Sequence, residues 1–252
     1  MLGLGKMKWI YVSLCALLFA ACGPASLPSG TEGSSDQVGL GFLPTKPEKG
    51  TLFQYYQPKA VSKWRNNWTS ALDLTGVSWN DSRTATLIAP SYVVMAAHFI
   101  RPSNVAVMFH DKNGKAYERY ITAVRSLTVA DVAVGKLNMP LPPEIKRYRF
   151  ARAGETTVGR PVITTDQTMT LSVHRIQSIA DNVISFSYSP DLAPIYRRNL
   201  IVGDSGNPTF IYSNGDLALL ETHTTGGPGA GPFYGDPGLQ TAIRAAMAEM
   251  GN

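Results

Sequence analysis

Short runs of strand-forming residues, separated by turn residues, dominate this 252-residue sequence beyond about residue 50. Val, Ile, Thr, Tyr and Leu recur in these runs, and no long stretch of helical periodicity occurs before the C-terminal end. Two runs are interrupted by Asn-Gly, at Asn113-Gly114 and at Asn214-Gly215. Because Asn-Gly between strand-like runs is a strong hairpin signal, the pattern predicts an antiparallel, all-β domain.

A proline-rich segment, residues 137–143, divides the strand-rich region into two halves, and we expect a connection there. Each half is long enough for one small β-barrel, the first at about 51–145 and the second at about 146–235. The sequence therefore predicts two antiparallel β-barrels.

The last residues have the signals of a helix. Asp236 supplies an N-cap and Pro237 fits the first helical position. Apolar residues then recur at spacings of four, four and three, namely Leu239, Ile243, Met247 and Met250. We expect one amphipathic C-terminal α-helix over 236–250, packed on the second barrel.

The first 22 residues are organised like a bacterial export signal. Lys6 and Lys8 precede an apolar run, 9–21, that is too short to span a bilayer comfortably but fits the hydrophobic region of a signal peptide. Small residues before Cys22 resemble a lipobox, in which the cysteine is lipidated and becomes the mature N-terminus, although Phe19 stands where leucine is usual. The alternative is ordinary signal cleavage with Cys22 as a spare thiol. We expect a lipid anchor.

Removal of this signal leaves a chain with one cysteine. Cys15 leaves with the signal, so the mature fold can contain no internal disulfide. The formal net charge falls from +5 to +3 with the loss of two lysines, which is too small and scattered an excess to predict nucleic-acid binding.

Residues 23–50 are rich in Gly, Pro, Ser and Thr, as in a flexible tether. The expected location is the bacterial cell envelope, with the outer membrane favoured because Gly23 is not acidic.

Three segments supply what acyl transfer by serine requires: a hydroxyl on a tight turn, a base, a carboxylate that orients the base, and backbone donors for an oxyanion. The Gly-Asp-Ser-Gly turn at 203–206 lies between apolar strands, and its glycines permit unusual backbone angles. Residues 87–98 read as a strand, a proline turn and a second strand that ends in Ala-Ala-His98. Asp131 opens a strand of alternating apolar residues.

Together these segments resemble the chymotrypsin-like serine proteases, over about 75–233. The chain order of His98, Asp131 and Ser205 is the order of that family, so the resemblance implies that these residues are the catalytic triad of a double-barrel serine endopeptidase. It also implies an oxyanion hole made by the backbone N–H groups of Gly203 and Ser205. Each residue alone has a structural explanation, as a core histidine, a strand cap or a turn hydroxyl, so the prediction depends on their combination.

The sequence departs from this family at two places near the motifs. Asn207 stands where the family usually has glycine before the proline, and Phe99 stands where a cysteine commonly follows the base. Neither change removes a catalytic group, and the second agrees with the missing disulfides.

The distance from the serine suggests one candidate for substrate binding. Asn199 lies six residues before Ser205, which is the position of the base of the primary specificity pocket in the family. A trypsin-like preference requires an acidic group there to pair with Arg or Lys. Since Asn199 is uncharged, this preference is disfavoured.

The strand at 219–227 is expected to form one pocket wall, which makes Thr222, His223 and Thr224 further candidates for substrate binding. Its His-Thr-Thr-Gly-Gly resembles V8-like glutamyl endopeptidases, in which a histidine of this wall helps to bind an acidic side chain. His223 would need a shift in register to do so. Thr222 is also a candidate to support the triad residue Asp131.

The other histidines give no metal signal. His110 and His174 are expected on the surface of strands, with no Cys, His or carboxylate at metal-ligand spacing around them. The sequence predicts no metal site and no cofactor. The expected partners are a peptide or protein substrate and the membrane, and we expect a monomer. Two alternatives stay open: a catalytically inactive, protease-like lipoprotein that binds a partner in its cleft, and an esterase on the same fold.

Overall fold

The computed structural model describes residues 40–80 and 83–251. The predicted signal peptide, Cys22 and residues 23–39 of the tether lie outside these ranges. Among the described residues no helix is both long enough and apolar enough to cross a membrane. The elements in chain order are β1 (Gly50–Thr51), β2 (Phe53–Tyr55), β3 (Lys63–Trp64), β4 (Thr86–Ala89), β5 (Tyr92–Met95), β6 (Val107–His110), β7 (Ala116–Arg119), β8 (Ile121–Ser126), β9 (Ala133–Leu137), β10 (Pro161–Thr165), β11 (Thr170–Ala180), β12 (Val183–Tyr188), β13 (Pro208–Ser213), β14 (Asp216–Thr222), β15 (Ala230–Pro232) and α1 (Pro237–Glu249).

The strands form two larger sheets and two hairpin ribbons. The first larger sheet has four strands in the order β4-β5-β9-β8, and the second has the order β14-β13-β10-β11-β12-β15, with β1 joining it by pairing with β11. All pairings between named strands are antiparallel. The second sheet curls until its edge strands β14 and β15 come into contact.

The predicted class is confirmed, since the described chain is mostly β with one C-terminal helix. The finer prediction of two closed barrels is not confirmed, because the pairings of the described strands leave both larger sheets open. No strand occurs between β9 and β10, the stretch in which the sequence predicts a connection.

Both predicted hairpins are confirmed. β6 and β7 pair on either side of Asn113-Gly114, and β13 and β14 pair on either side of Asn214-Gly215. At the second turn φ is +54° for Asn214 and +79° for Gly215. Positive φ at both central residues is what a two-residue hairpin turn of type I′ requires, and asparagine and glycine tolerate it best.

The C-terminal helix begins and ends close to the predicted limits. The Asp236 side chain accepts a hydrogen bond from the backbone N–H of Leu239, so it caps the helix as expected. Leu239 and Ile243 are buried, whereas Met247 and Met250 are only partly covered. The helix contacts β9 of the four-stranded sheet, and its Leu239 and Ile243 also lie in the apolar cluster that includes Phe210 and Leu219 of the second half.

The core extends across both larger sheets. Val94 and Val134 of the four-stranded sheet lie in one apolar cluster with Val173, Phe210 and Leu219 of the other. Each such side chain contributes roughly 1.5–3 kcal/mol when it is fully buried. Since the described residues contain no cysteine, no disulfide assists this shared cluster in holding them together.

The prediction that His110 lies on a strand surface is wrong. Both faces of β6 are covered, and the ring packs edge-on against Phe53 and Tyr56. Its Nε2 lies 3.0 Å from the Gln57 carbonyl oxygen, to which it donates. Burial lowers the pKa of His110, so the ring is a neutral part of the core.

Candidate active site

The pairing of β5 with β9 brings His98 next to Asp131. β5 ends at Met95, which pairs with Ala133, the first residue of β9. Beyond β5 the chain turns through a short 3-10 segment, Ala97–Phe99. One carboxylate oxygen of Asp131 accepts the backbone N–H of His98 at 2.8 Å, and the other lies 2.5 Å from His98 Nδ1. The carboxylate therefore fixes both the main chain and the ring of the histidine.

Residues 201–207, called the serine loop below, precede β13 of the seven-stranded sheet and bring Ser205 to the same place. Ser205 Oγ lies 2.9 Å from His98 Nε2. The next residue, Gly206, has a φ of +83°, and a Cβ there would lie 3.3 Å from the backbone N of Ala96 and 3.3 Å from the carbonyl oxygen of Thr84. Only glycine combines this backbone angle with so close an approach, so Gly206 lets the two sheets meet at the serine.

Asn207 joins the same loop to the four-stranded sheet with its side chain. The fully buried carboxamide accepts a hydrogen bond from Thr84 Oγ1 at 3.0 Å and donates to the Asp204 carbonyl oxygen at 3.1 Å. This asparagine is one of the two departures from the family pattern. Its contacts explain it, because a glycine would leave the Thr84 hydroxyl without this partner.

Asp204 is a buried carboxylate held by backbone donors. Oδ1 accepts the N–H of Gln167 at 3.0 Å, and Oδ2 accepts the N–H of Ile201 at 2.8 Å. Its relative exposure is 1%. Hydrogen bonds to a charged carboxylate compensate for the free-energy cost of burying it, and the two backbone donors supply these bonds to Asp204.

A turn after β10 supports the serine loop from outside. The Gln167 side chain donates to the carbonyl oxygen of Val202 at 3.0 Å. The turn itself is held by Asp166, whose Oδ1 accepts the N–H of Thr168 at 2.7 Å and whose Oδ2 lies 2.9 Å from Arg198 Nε. Gln167 thus connects a rigid turn to the residues just before the serine.

Two backbone N–H groups are available for an oxyanion. Within the described residues, the N–H groups of Gly203 and Ser205 donate to no protein acceptor, whereas the neighbouring N–H groups of Asp204 and Gly206 donate to the carbonyl oxygens of Ile201 and His223. Unpaired donors beside a nucleophile are what stabilisation of a tetrahedral intermediate requires.

A surface pocket of about 410 Å³ lies beside Ser205. One charged residue lines it, Asp204, and the carboxylate of this residue is occupied by the backbone donors described above. The other lining residues are aliphatic, hydroxyl-bearing or glycine: Leu200, Ile201, Val202, Ser205, Thr224, Thr225 and Gly226. The pocket therefore offers no free charge to a ligand.

The candidates for substrate binding have different positions. Thr224 lines the pocket, whereas Asn199 does not and accepts a hydrogen bond from Tyr188 Oη at 3.1 Å. Thr222 is fully buried, and its hydroxyl lies 3.1 Å from Tyr234 Oη, not against the Asp131 carboxylate.

His223 points away from the pocket. Its relative exposure is 1%, its Nδ1 lies 2.7 Å from Glu221 Oε1, and its Nε2 donates to the Thr165 carbonyl oxygen at 3.0 Å. Burial is the largest single influence and lowers the pKa of His223, but Glu221, the Thr165 carbonyl and the charge of Asp204 together outweigh it, and the net effect raises the pKa. Since both ring nitrogens face internal acceptors, neither can donate to a ligand in the pocket.

His174 is buried in β11, so the prediction that it lies on a surface is wrong. Nδ1 donates to the Pro228 carbonyl oxygen at 2.8 Å, and Nε2 accepts the N–H of Arg198 at 3.2 Å. Burial lowers the pKa of His174 to about 4. The hydrogen bond to the Pro228 carbonyl raises this pKa, whereas the charge of His223 lowers it further. The ring is therefore neutral near pH 7.

Sequence reasoning missed Glu221 and Gln167. Glu221 carried a signal, because a charged residue within the apolar run of β14 needs a buried partner, and His223 is two residues away. Gln167 carried none, since a glutamine in a turn is ordinary and its contact lies 35 residues further along the chain.

The arrangement can move a proton from serine to histidine. A carboxylate accepts only, so the Nδ1 that faces it carries hydrogen in the neutral ring, and the lone pair of Nε2 points at Ser205 Oγ. This tautomer suits a base that activates the hydroxyl.

No family model matches the sequence, and no curated protein matches it significantly, so functional assignment depends on this geometry.

Replacing Asn207 by alanine is expected to lower the free energy of unfolding by about 1–3 kcal/mol, because the Thr84 hydroxyl loses a buried acceptor. Urea unfolding of the soluble chain measures this. The matched control is Asn138→Ala, which removes an exposed amide that accepts the Tyr120 N–H. Equal losses in the two variants would contradict the role of Asn207 between the sheets.

Proposed function

We propose that this chain is a serine endopeptidase of the chymotrypsin-like class, exported and anchored to the bacterial cell envelope through lipid on Cys22. One observation carries the catalytic part: a single imidazole lies 2.5 Å from a carboxylate through Nδ1 and 2.9 Å from a serine hydroxyl through Nε2. His98, Asp131 and Ser205 come from three distant parts of the chain, and this geometry is what defines such triads on unrelated folds.

In the proposed reaction, Ser205 Oγ attacks the scissile carbonyl carbon while His98 Nε2 takes the hydroxyl proton. The carbonyl oxygen becomes an oxyanion that accepts hydrogen bonds from the N–H groups of Gly203 and Ser205. Asp131 stabilises the imidazolium, which then protonates the leaving amine as the C–N bond breaks. Water, deprotonated by the same histidine, hydrolyses the acyl-enzyme and restores the serine.

The double-barrel architecture and the envelope location are parts of the same proposal. Support for the architecture comes from the two larger antiparallel sheets, one carrying His98 and Asp131 and the other carrying the Ser205 loop. The lipid anchor rests on the Cys22 motif alone.

The proposed substrate has an uncharged side chain on the acyl side of the scissile bond. The pocket beside Ser205 presents no free charge, and His223 cannot reach into it. Burying an unpaired charge there would cost several kcal/mol, which disfavours Arg, Lys, Asp and Glu. This argues against both trypsin-like and glutamyl preferences.

Ser205→Ala and His98→Ala are expected to abolish hydrolysis and leave the fold intact, because neither side chain contributes a large buried apolar area. Asp131→Asn should lower turnover by about 10⁴-fold, since the base is then left in the wrong tautomer. Labelling by a fluorophosphonate probe and hydrolysis of an activated ester measure these effects. Full activity in any of the three would remove that residue from the mechanism.

A mixture of peptides of diverse sequence, incubated with the soluble chain, should be cut after uncharged residues. Mass spectrometry of the products gives the preference, and Ser205→Ala identifies cleavage by contaminating proteases. Enrichment of Glu, Asp, Arg or Lys at the cleaved position would contradict the neutral pocket. Ester hydrolysis without any peptide cleavage would favour the esterase alternative.

We expect the enzyme to fold directly into its active form. In many proteases of this class, the carboxylate beside the serine pairs with an amine made by proteolysis, but Asp204 already has two backbone donors. Residues 23–252 behind a short N-terminal tag should therefore react equally with a fluorophosphonate before and after limited trimming. Reaction that begins only after trimming would show that the protein is made as an inactive zymogen.

A further inference from the structure

Glu221 and His223 form an ion pair that the proposed mechanism does not use. Their relative exposures are 0% and 1%, and Nδ1 lies 2.7 Å from Oε1. The approach is poorly directed for a hydrogen bond, and the second carboxylate oxygen has no hydrogen-bond partner among the described residues. Burying such a pair is costly, so its position directly beneath the serine loop calls for a physical explanation.

The surroundings of the ring favour an imidazolium. Nε2 must carry hydrogen because the Thr165 carbonyl can only accept, and Nδ1 faces a carboxylate. The charge of Asp204, on the serine loop, acts in the same direction as that of Glu221. His174, on β11, is the other titratable group that faces the ring, and it is neutral near pH 7.

The neighbouring strand is shaped to hold the carboxylate. A Cβ on Gly231 of β15 would lie 2.2 Å from Glu221 Oε2, so any larger residue there would displace it. The adjacent Asp166 carboxylate has its own cation, since its Oδ2 lies 2.9 Å from Arg198 Nε. His223 is therefore the cation beside the buried carboxylate of Glu221, and the charge of Asp204 also acts on its ring.

His223 is attached to the residues that follow the serine. Its carbonyl oxygen accepts the N–H of Gly206 at 2.9 Å, and its own N–H donates to the Asn207 carbonyl at 3.0 Å. Thr165, which accepts from the ring, also donates its hydroxyl to the Pro208 carbonyl at 2.7 Å. The ring and backbone of His223 thus hold residues 206–208 from two directions.

We propose that His223, kept protonated by Glu221, is a positioning residue for the serine loop, and that loss of its proton at alkaline pH disables Ser205. This inference rests on the proposed hydrolase function. Deprotonation would leave Glu221 and Asp204 as two buried carboxylates without their shared cation. Relaxation of that charge would shift residues 206–208, and with them the 2.9 Å contact between Ser205 Oγ and His98 Nε2.

The sign of the pH dependence follows from the raised pKa of His223 in the folded protein. A histidine whose folded pKa exceeds its ordinary value of 6.5 stabilises the fold fully below 6.5, and this contribution is lost as pH rises through the raised value. Labelling of Ser205 should therefore be greatest below the raised value and decline as pH rises through it.

The test is the rate of fluorophosphonate labelling against pH for the full chain and for Glu221→Gln. Without the carboxylate, burial acts on His223 with less opposition, so the alkaline decline should move down by about one pH unit or more. Acid-side loss of labelling reports the base that activates Ser205 and should not move. An alkaline decline that is unchanged in Glu221→Gln would overturn the proposal.

Two further variants separate charge from general damage. Glu155→Gln removes a carboxylate paired with Arg149 at 2.7 Å outside the site, and should leave the pH profile unchanged even if stability falls. Glu221→Asp keeps the charge and should restore much of the alkaline activity. If Glu155→Gln shifts the profile equally, or Glu221→Asp restores nothing, the pair has only a structural role.

NMR of protein labelled with ¹⁵N-histidine decides the matter independently of activity. The ring ¹⁵N shifts of His223 should show an imidazolium at pH 7 in the native chain and a neutral ring in Glu221→Gln. In uniformly ¹⁵N-labelled protein, the amide signals of Gly206 and Asn207 should follow the same titration. A neutral His223 in the native chain would refute the inference. Absence of labelling at every pH, with these signals as expected, would refute the hydrolase alone.

Discussion

The close approach of the serine loop to the end of β5 is the contact on which the candidate site depends. His98 and Asp131 belong to one sheet and Ser205 to the other, so neither sheet alone contains the chemistry. Gly206 permits the backbones to meet, and the buried Asn207–Thr84 hydrogen bond joins them. The shared apolar core keeps the two sheets together behind this contact.

The buried charged groups next to the serine loop have one feature in common, which is that each of them lies against a segment of backbone near the loop. Asp204 binds the N–H groups of Gln167 and Ile201, Asp166 holds the turn that supports the loop, and the Glu221–His223 pair lies beneath residues 206–208. Charge buried in this way is poorly suited to stabilising a fold. It is well suited to keeping a loop in one conformation, because each misplacement would leave a charge unpaired.

The sequence predicted those features that depend on short stretches of chain. Asn214-Gly215 specifies a hairpin and Asp236-Pro237 a helix start by local backbone preference. The proximity of His98, Asp131 and Ser205 was predictable only from the family resemblance. The contact of the helix with β9 was not predicted, and the burial of His110 and His174 was predicted wrongly, because both depend on which elements cover which faces. The contact of Gln167 with Val202 left no trace in the sequence at all.

Because His98 and Ser205 are carried by different sheets, the Asn207–Thr84 contact between the sheets has a further consequence. No disulfide can join the two sheets within residues 40–80 and 83–251, since these ranges contain no cysteine. A slight thermal separation of the sheets would part His98 from Ser205 while both sheets kept their hydrogen-bonded strands. On warming, the contact between His98 and Ser205 is therefore expected to be lost before the β-structure melts.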